Sequence, residues 1–116
     1  MIVENNVIAG NITEKYASRN LIVRYLMNGF LSSITDMLKP YQQEIASVTE
    51  AGCGEGHLAA HLAATGYPDI KAFDVSPKIV EKARASHPED GITFYSRSVF
   101  DVDDSDSADL IVCCEV

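Results

Sequence analysis

The fold is decided by a nine-residue stretch that reads Val48-Thr49-Glu50-Ala51-Gly52-Cys53-Gly54-Glu55-Gly56. A short apolar run enters a turn with glycine at every second position, and an Ala/Leu-rich segment follows as far as Thr65. Glycine lets the backbone turn sharply and approach a ligand with no Cβ in the way. The pattern therefore predicts a strand over 47–51, a ligand-binding turn, and a helix whose N-terminus faces the ligand and which Gly66 ends.

The same alternation continues toward the end of the chain. Apolar runs predict strands over 69–74, 91–96 and 108–114, and Ser76-Pro77 predicts the cap and first position of a helix over 77–86. No helix is predicted between the third and fourth strands, where residues 101–109 form an acidic loop that we expect to be solvated. Strands alternating with helices predict an α/β, doubly wound, mostly parallel sheet. The fourth strand is apolar on both faces, so we expect it to be buried.

The first 44 residues lack the alternation of short apolar runs and helical stretches that begins at Ser47. This difference predicts an N-terminal helical segment over 1–44 ahead of a domain over 45–116. Apolar residues recur every fourth position from Ile22 to Leu38. This period predicts an amphipathic helix over 20–38 that ends before Pro40.

The glycine spacing separates the possible ligands. A dinucleotide fingerprint beginning at Gly52 needs Gly or Ala at position 57, and a P-loop needs Gly at 57 and Lys at 58, whereas this chain has His57 and Leu58. Asp74 ends the second strand, where a carboxylate can accept hydrogen bonds from two ribose hydroxyls. Alone, Asp74 also fits a turn acid ahead of the next helix. Together with the glycine turn, it predicts a ligand that contains a nucleoside.

At these residues the sequence resembles the class I S-adenosylmethionine-dependent methyltransferases. Residues 48–56 are similar to their first motif, E/D-x-G-x-G-x-G, and residues 72–77 to their second-strand motif. Residues 98–101 and 108–116 resemble their adenine-side segment and fourth strand. The resemblance implies a Rossmann-like sheet of order 3-2-1-4, S-adenosylmethionine as cofactor, and methyl transfer. Because the family builds its acceptor site from the chain after strand 4, it also implies an N-terminal, cofactor-binding half that is truncated after the fourth strand.

The resemblance also implies roles for matching positions. The methionine and ribose end of the cofactor would be lined by Glu50, Ala51, Gly52, Cys53, Gly54 and Gly56. Asp74 would hold the ribose hydroxyls, Val75 would pack on the adenine, and Ser98 and Val99 would meet its edge. Glu115 would open toward the sulfonium and the acceptor. No catalytic residue is assigned.

The N-terminal segment resembles the leading segment that many of these enzymes fold over the cofactor as a lid. Tyr16 would then stack on the cofactor, and Arg19 or Arg24 would pair with its carboxylate. A surface helix start is the alternative for the same residues.

Composition bears on partners and compartment. Nine Lys and Arg against 17 Asp and Glu give a net charge of −8, which disfavours nucleic acid. This leaves a metabolite, a lipid or quinone precursor, or a protein as acceptor, and we expect a small molecule. No apolar run approaches the ~18 residues of a membrane span. Three cysteines without a CxxC unit favour a reducing cytoplasm.

Without a fifth strand, residues 110–114 would leave an unpaired edge, which predicts a homodimer or larger assembly.

Two other functions stay open: a non-catalytic nucleotide- or cofactor-binding module, and half of a dinucleotide-dependent oxidoreductase, which His57 disfavours.

No metal site is expected. His57 and His61 lie four apart without a third ligand, so they predict a polar helix face. The acidic loop imitates the start of a calcium loop at Asp101, Asp103, Ser105 and Asp109, but the sixth position is Asp106 instead of Gly, and the twelfth is Val112 instead of Glu.

Overall fold

A computed structural model describes residues 21–88 and 91–113, and the chain forms two compact units, residues 1–38 and 39–116. In the first unit, helix α1 spans Leu21–Leu38. Its end confirms the prediction from the fourfold apolar period. Among the described residues, no helix combines the length and apolar composition that crossing a bilayer requires.

The second unit begins with a 3-10 helix, Lys39–Glu44, which contains Pro40. Its elements are β1 (Val48–Ala51), α2 (His57–Ala64), β2 (Ile70–Asp74), α3 (Pro77–Ser86), β3 (Ile92–Ser96) and β4 (Leu110–Val112), with short 3-10 turns at Val99–Asp101 and Asp104–Asp106. All four strands are parallel, in the order β3-β2-β1-β4. The predicted fold class and strand order are therefore confirmed, and the segment between β3 and β4 contains only 3-10 turns.

Local sequence signals fix the helix ends. The Ser76 hydroxyl accepts a hydrogen bond of 3.3 Å from the Ile79 N–H, and Pro77 occupies the first helical position of α3, where a missing N–H costs nothing. At the end of α2, Gly66 adopts φ 104° and its N–H bonds to the Ala63 carbonyl at 3.1 Å. These residues set where α3 begins and where α2 ends.

The two faces of the sheet are covered differently. Helices α2 and α3 lie on the face that carries Phe94, whose ring packs close to Gly56. The loop between β3 and β4 covers the other face: the Thr49 hydroxyl donates to the Asp106 carbonyl at 2.7 Å, and Lys71 Nζ donates to the Ser105 carbonyl at 2.7 Å. A loop thus occupies the place of the third crossover helix.

Two expectations about this region are wrong. The fourth strand is not buried throughout, because β4 has only three residues and Ile111 is 55% exposed on the face that the loop covers only in part. The acidic loop is not solvated throughout, because Asp106 is 5% exposed. The Tyr95 hydroxyl of β3 and the Arg97 guanidinium compensate the buried carboxylate, and Thr49 of β1 bonds to the Asp106 backbone carbonyl.

Candidate functional site

The glycine turn after β1 holds three glycines, at alternate positions of the chain, in the left-handed region. Their φ angles are 72° at Gly52, 55° at Gly54 and 87° at Gly56, values that residues with a Cβ rarely adopt. The N–H of Cys53 donates to the Phe73 carbonyl at 2.8 Å, which extends the pairing of β1 with β2 into the turn. The turn is therefore an ordered continuation of the sheet.

Two of these glycines serve different purposes. A Cβ at Gly56 would lie 2.7 Å from Cε1 of Phe94 and 3.2 Å from Cδ2 of His87, so glycine here permits close packing of the helix start on β3. A Cβ at Gly54 would have no heavy atom within 4 Å. The backbone at Gly54 therefore lies beside open space, where a ligand can approach it.

Asp74, at the end of β2, is bonded to the glycine turn. Its Oδ2 accepts a hydrogen bond from the Gly54 N–H at 3.0 Å, and its Oδ1 accepts one from the Ser76 N–H at 3.1 Å. The second bond gives Asp74 the turn role that the sequence also allows, and the first links it to the ligand-binding turn. A carboxylate offers about four lone-pair positions, so these two bonds leave Asp74 capacity to accept further donors.

The site is acidic. Glu50 is 4% exposed and Cys53 is 6% exposed, both beside the turn. Burial raises the pKa of the Cys53 thiol well above its usual range, and the negative charges of Glu50 and Asp74 raise it further. Cys53 therefore remains a neutral, inert thiol, and the charge of the site comes from carboxylates.

A polar cluster ties the turn to α3. Glu55 Oε2 lies 3.2 Å from Lys82 Nζ, and Glu55 Oε1 lies 3.7 Å from His57 Nε2. The ring of His57 meets the ring of His87 edge-on, with centroids 5.2 Å apart. Burial lowers the pKa of His57, and so does His87, while Glu55 opposes the shift. Within residues 21–88 and 91–113, no group of three or more His, Cys, Asp or Glu side chains is arranged to hold a metal ion.

The segment after β3 lies next to Asp74. The N–H of Arg97 donates to the Asp74 carbonyl at 3.0 Å, which places Ser98 beside the end of β2. The Ser98 hydroxyl accepts from the Phe100 N–H at 3.2 Å and caps the first 3-10 turn. Val75 and Val99 are 66% and 42% exposed. Apolar side chains that are exposed at the carboxyl ends of the strands are available to contact a ligand.

A buried network behind this segment was missed in the sequence. The Tyr95 hydroxyl donates to Asp106 Oδ1 at 2.5 Å, and Arg97 Nη1 lies 3.3 Å from Asp106 Oδ2. The Tyr95 hydroxyl and the Arg97 guanidinium are typical partners of a buried carboxylate. The Asp103 N–H is a local partner of the Asp106 carboxylate, but its other partners, Tyr95 and Arg97, come from the end of β3 and the segment after it. The sequence around Asp106 therefore does not predict its burial.

The structure thus brings together most of the predicted site residues. The glycine turn and Asp74 are joined directly, and Ser98 and Val99 are joined to Asp74 through Arg97. Tyr16 and Glu115 lie outside the described residues.

Comparison with known proteins places this geometry in a family. A family model described as "Methyltransferase domain" matches residues 48–116, which is more than half of the chain. No curated protein matches the chain at a significant level.

Solved structures agree on the fold. Magnesium protoporphyrin IX methyltransferase from Synechocystis PCC 6803, with bound SAM, is 20% identical with a TM-score of 0.72, over 97% of this chain and 58% of that one. The methyltransferase domain of bacterial CtHen1 is 24% identical with a TM-score of 0.65, over 74% and 49%. An RNA methyltransferase from Salinibacter ruber, in complex with S-adenosyl-L-homocysteine, is 20% identical with a TM-score of 0.62, over 73% and 56%.

The chain spans about half the length of these three structures. Its parallel sheet of order β3-β2-β1-β4 and its glycine turn lie within the region that the family model covers. The chain belongs to the methyltransferase domain family.

Proposed function

We propose that this chain binds S-adenosylmethionine and forms the cofactor-binding part of a methyltransferase that acts on a small-molecule acceptor. The observation that carries this proposal is the hydrogen bond from Gly54 to Asp74, which joins a glycine turn and an acid at the carboxyl ends of adjacent strands. Ligands of open α/β sheets bind at such ends. Two of the solved structures with this fold have SAM or S-adenosyl-L-homocysteine bound.

The residues present fit this cofactor. The space beside Gly54 admits a ligand to the backbone, and Asp74 keeps acceptor positions for ribose hydroxyls. The carboxylates of Glu50 and Asp74 lie near enough to Cys53 to raise its pKa. Negative charge at this place favours a ligand that carries an ammonium and a sulfonium group.

When bound, the cofactor supplies a methyl group on a sulfonium for transfer to a nucleophile. The chain's own residues bind and orient it. The methionine and ribose end is assigned to Glu50, Ala51, Gly52, Cys53, Gly54 and Gly56. Asp74 accepts from the ribose, Val75 packs on the adenine, and Ser98 and Val99 meet the adenine edge. The roles of Tyr16, Glu115 and the lid over 1–44 stay predictions from the resemblance.

Calorimetric titration of the chain with S-adenosylhomocysteine, NADH and ATP tests the proposal. We expect S-adenosylhomocysteine to bind and the other two ligands to bind weakly or not at all. Tight binding of NADH without S-adenosylhomocysteine would instead support half of an oxidoreductase. Binding of ATP alone would support a non-catalytic nucleotide module.

The small-molecule acceptor is supported by the charge of the chain. A net charge of −8 opposes association with a polyanion such as RNA. The test incubates the full-length protein with S-adenosylmethionine labelled at its methyl group and with separated metabolite, RNA and protein fractions of a cell extract, since the resemblance implies that the acceptor is bound by the chain after the fourth strand. Label in the metabolite fraction is expected, and label confined to RNA or protein would overturn this part of the proposal.

Self-association along β4 is also part of the proposal. This strand pairs with β1 on one side, and among residues 21–88 and 91–113 no other strand pairs with it. An open edge with an exposed Ile111 invites pairing with a second chain. Light scattering at high protein concentration should show a dimer or larger species, and Ile111→Lys should shift it toward monomer. A monomeric wild-type chain would overturn this assignment.

A cytoplasmic location is proposed from the cysteines. Cys53 and Cys113 are free thiols, and free thiols persist in a reducing compartment. Cell fractionation is expected to recover the protein with cytoplasmic markers, and recovery from an oxidising compartment would contradict the proposal.

A further inference from the structure

Asp106 differs from the other acids of its loop. Asp101, Asp103 and Asp104 are exposed, whereas Asp106 is 5% exposed. Burying a carboxylate is costly unless hydrogen bonds or an opposite charge compensate it. A carboxylate at this position therefore has to be matched to specific partners.

The partners of Asp106 come from three places in the second unit. Its side chain accepts from the Tyr95 hydroxyl at 2.5 Å and from the Asp103 N–H at 2.9 Å, and Arg97 Nη1 lies 3.3 Å from its Oδ2. Its backbone carbonyl accepts from the Thr49 hydroxyl at 2.7 Å. One residue thus fixes the loop to β3 through its carboxylate and to β1 through its backbone.

Arg97 connects this network to the ligand side. Its Nη1 donates to the Asp101 carbonyl at 3.1 Å, at the end of the turn that Ser98 begins. Its guanidinium carbon lies 5.6 Å from the centroid of the Tyr95 ring, within the range of a cation–π contact. Its own N–H bonds to the Asp74 carbonyl at 3.0 Å. The turn that carries Ser98 and Val99 is therefore held at both ends by Arg97.

We propose that Asp106, acting through Tyr95 and Arg97, is a positioning residue that sets how the 98–101 turn recognises the base of the cofactor. This inference rests on the proposed function, because it takes Ser98 and Val99 to meet the adenine edge. A binding group is effective only when its own orientation is fixed by supporting contacts. Asp106 supplies that support without touching the ligand.

The test compares two ligands that differ only at the base edge, S-adenosylhomocysteine and S-inosylhomocysteine. Asp106→Asn keeps the size of the side chain but cannot accept both the Tyr95 and Asp103 bonds, and Tyr95→Phe removes only a hydroxyl. Asp104→Asn makes the same charge change at an exposed acid of the same loop and serves as the control. Dissociation constants are measured by calorimetry for each protein.

We expect the wild-type chain and Asp104→Asn to prefer the adenosyl ligand by about tenfold, which corresponds to ~1.4 kcal/mol. In Asp106→Asn and Tyr95→Phe the ratio of the two dissociation constants should fall toward one. A general loss of stability would weaken both ligands alike and leave the ratio intact. A wild-type ratio in both variants would overturn the inference.

Hydrogen exchange in the ligand-free chain separates this inference from the proposed function. The amides of Phe100 and Asp101, which bond to the Ser98 side chain and carbonyl, should exchange faster in Asp106→Asn than in the wild-type chain or Asp104→Asn. Unchanged exchange would overturn the inference even if S-adenosylhomocysteine binds. Faster exchange in a chain that binds no S-adenosylhomocysteine would refute the proposed function, and with it the base-recognition role, but would leave Asp106 as the residue that orders the turn.

Discussion

The backbone N–H of Gly54 donates a hydrogen bond of 3.0 Å to the carboxylate of Asp74, which lies 20 residues further along the chain. This bond links the turn after β1 to the end of β2. The two motifs that resemble separate family signatures are thus parts of one structure, and a change at either residue should affect the other.

Asp74→Ala is expected to weaken the binding of S-adenosylhomocysteine by about tenfold or more, a loss of ~1.4 kcal/mol or more. The substitution removes the acceptor for the ribose hydroxyls and for the Gly54 N–H. Isothermal calorimetry measures the effect, with Asp104→Ala as the control at an exposed acid. An unchanged dissociation constant in Asp74→Ala would remove this residue from the ribose.

Gly56→Ala is expected to destabilise the second unit by about 2–4 kcal/mol, from a left-handed φ and a Cβ crowded against a buried ring. That Cβ would lie 2.7 Å from Phe94. Gly54→Ala, which has the same kind of φ but no atom within 4 Å, should cost about 1–2 kcal/mol. Urea unfolding of both variants gives the two values. Equal losses would contradict the assigned packing role of Gly56.

Stability should fall as the pH drops below about 6.5 toward the lower folded-state pKa of His57. Burial first, and His87 second, lower the pKa of His57 from 6.5, so the unfolded chain takes up this proton before the folded chain does. The stabilisation is complete above the unfolded-state pKa and is lost as the pH falls through the folded one. Urea unfolding at a series of pH values should show a shallower acid slope in His57→Gln. An identical slope in the variant would refute the assignment.

Alkaline pH should also destabilise the chain, through Tyr95. Burial and the hydrogen bond to Asp106 raise the pKa of Tyr95 well above its usual 10.0, so above that pH the unfolded chain loses the phenol proton while the folded chain retains it. The contribution is complete below the unfolded-state pKa and declines as the pH rises above it. Thermal unfolding between neutral and alkaline pH should show a smaller decline for Tyr95→Phe. Tyr41→Phe makes the same atomic change at an exposed site, and an equal decline in all three proteins would contradict the prediction.

Much of the described fold could be predicted from the sequence because the signals are local. The capping of α3 by Ser76, the positive φ of Gly66 and the end of α1 at Leu38 each depend on neighbours within a few residues. The strand order followed from the family resemblance and from strands that alternate with helices. The sequence predicts that Asp74 and the glycine turn bind the same ligand, but it does not predict the hydrogen bond between them.

What was missed depends on contacts between distant residues. Asp106 is buried because Tyr95 and Thr49, 11 and 57 residues away, supply donors that no local pattern reveals. Ile111 is 55% exposed on the sheet face where the loop bonds to Thr49 and Lys71, an exposure that the apolar run alone does not reveal. His87 was overlooked because its contact with His57 crosses from the end of α3 to the start of α2. In each case tertiary contacts decide the structure, and the local sequence pattern does not reveal them.

The central claim, that the glycine turn and Asp74 form the cofactor site, is tested most directly by NMR titration of the isotopically labelled chain with S-adenosylhomocysteine. We expect the backbone amides of Gly52, Gly54 and Gly56 to shift in a saturable manner, together with those of Val75 and Val99. The same titration with NADH should leave the chemical shifts of these amides unchanged. Saturable binding of S-adenosylhomocysteine that leaves the glycine-turn amides unshifted, or no binding at all, would contradict the claim.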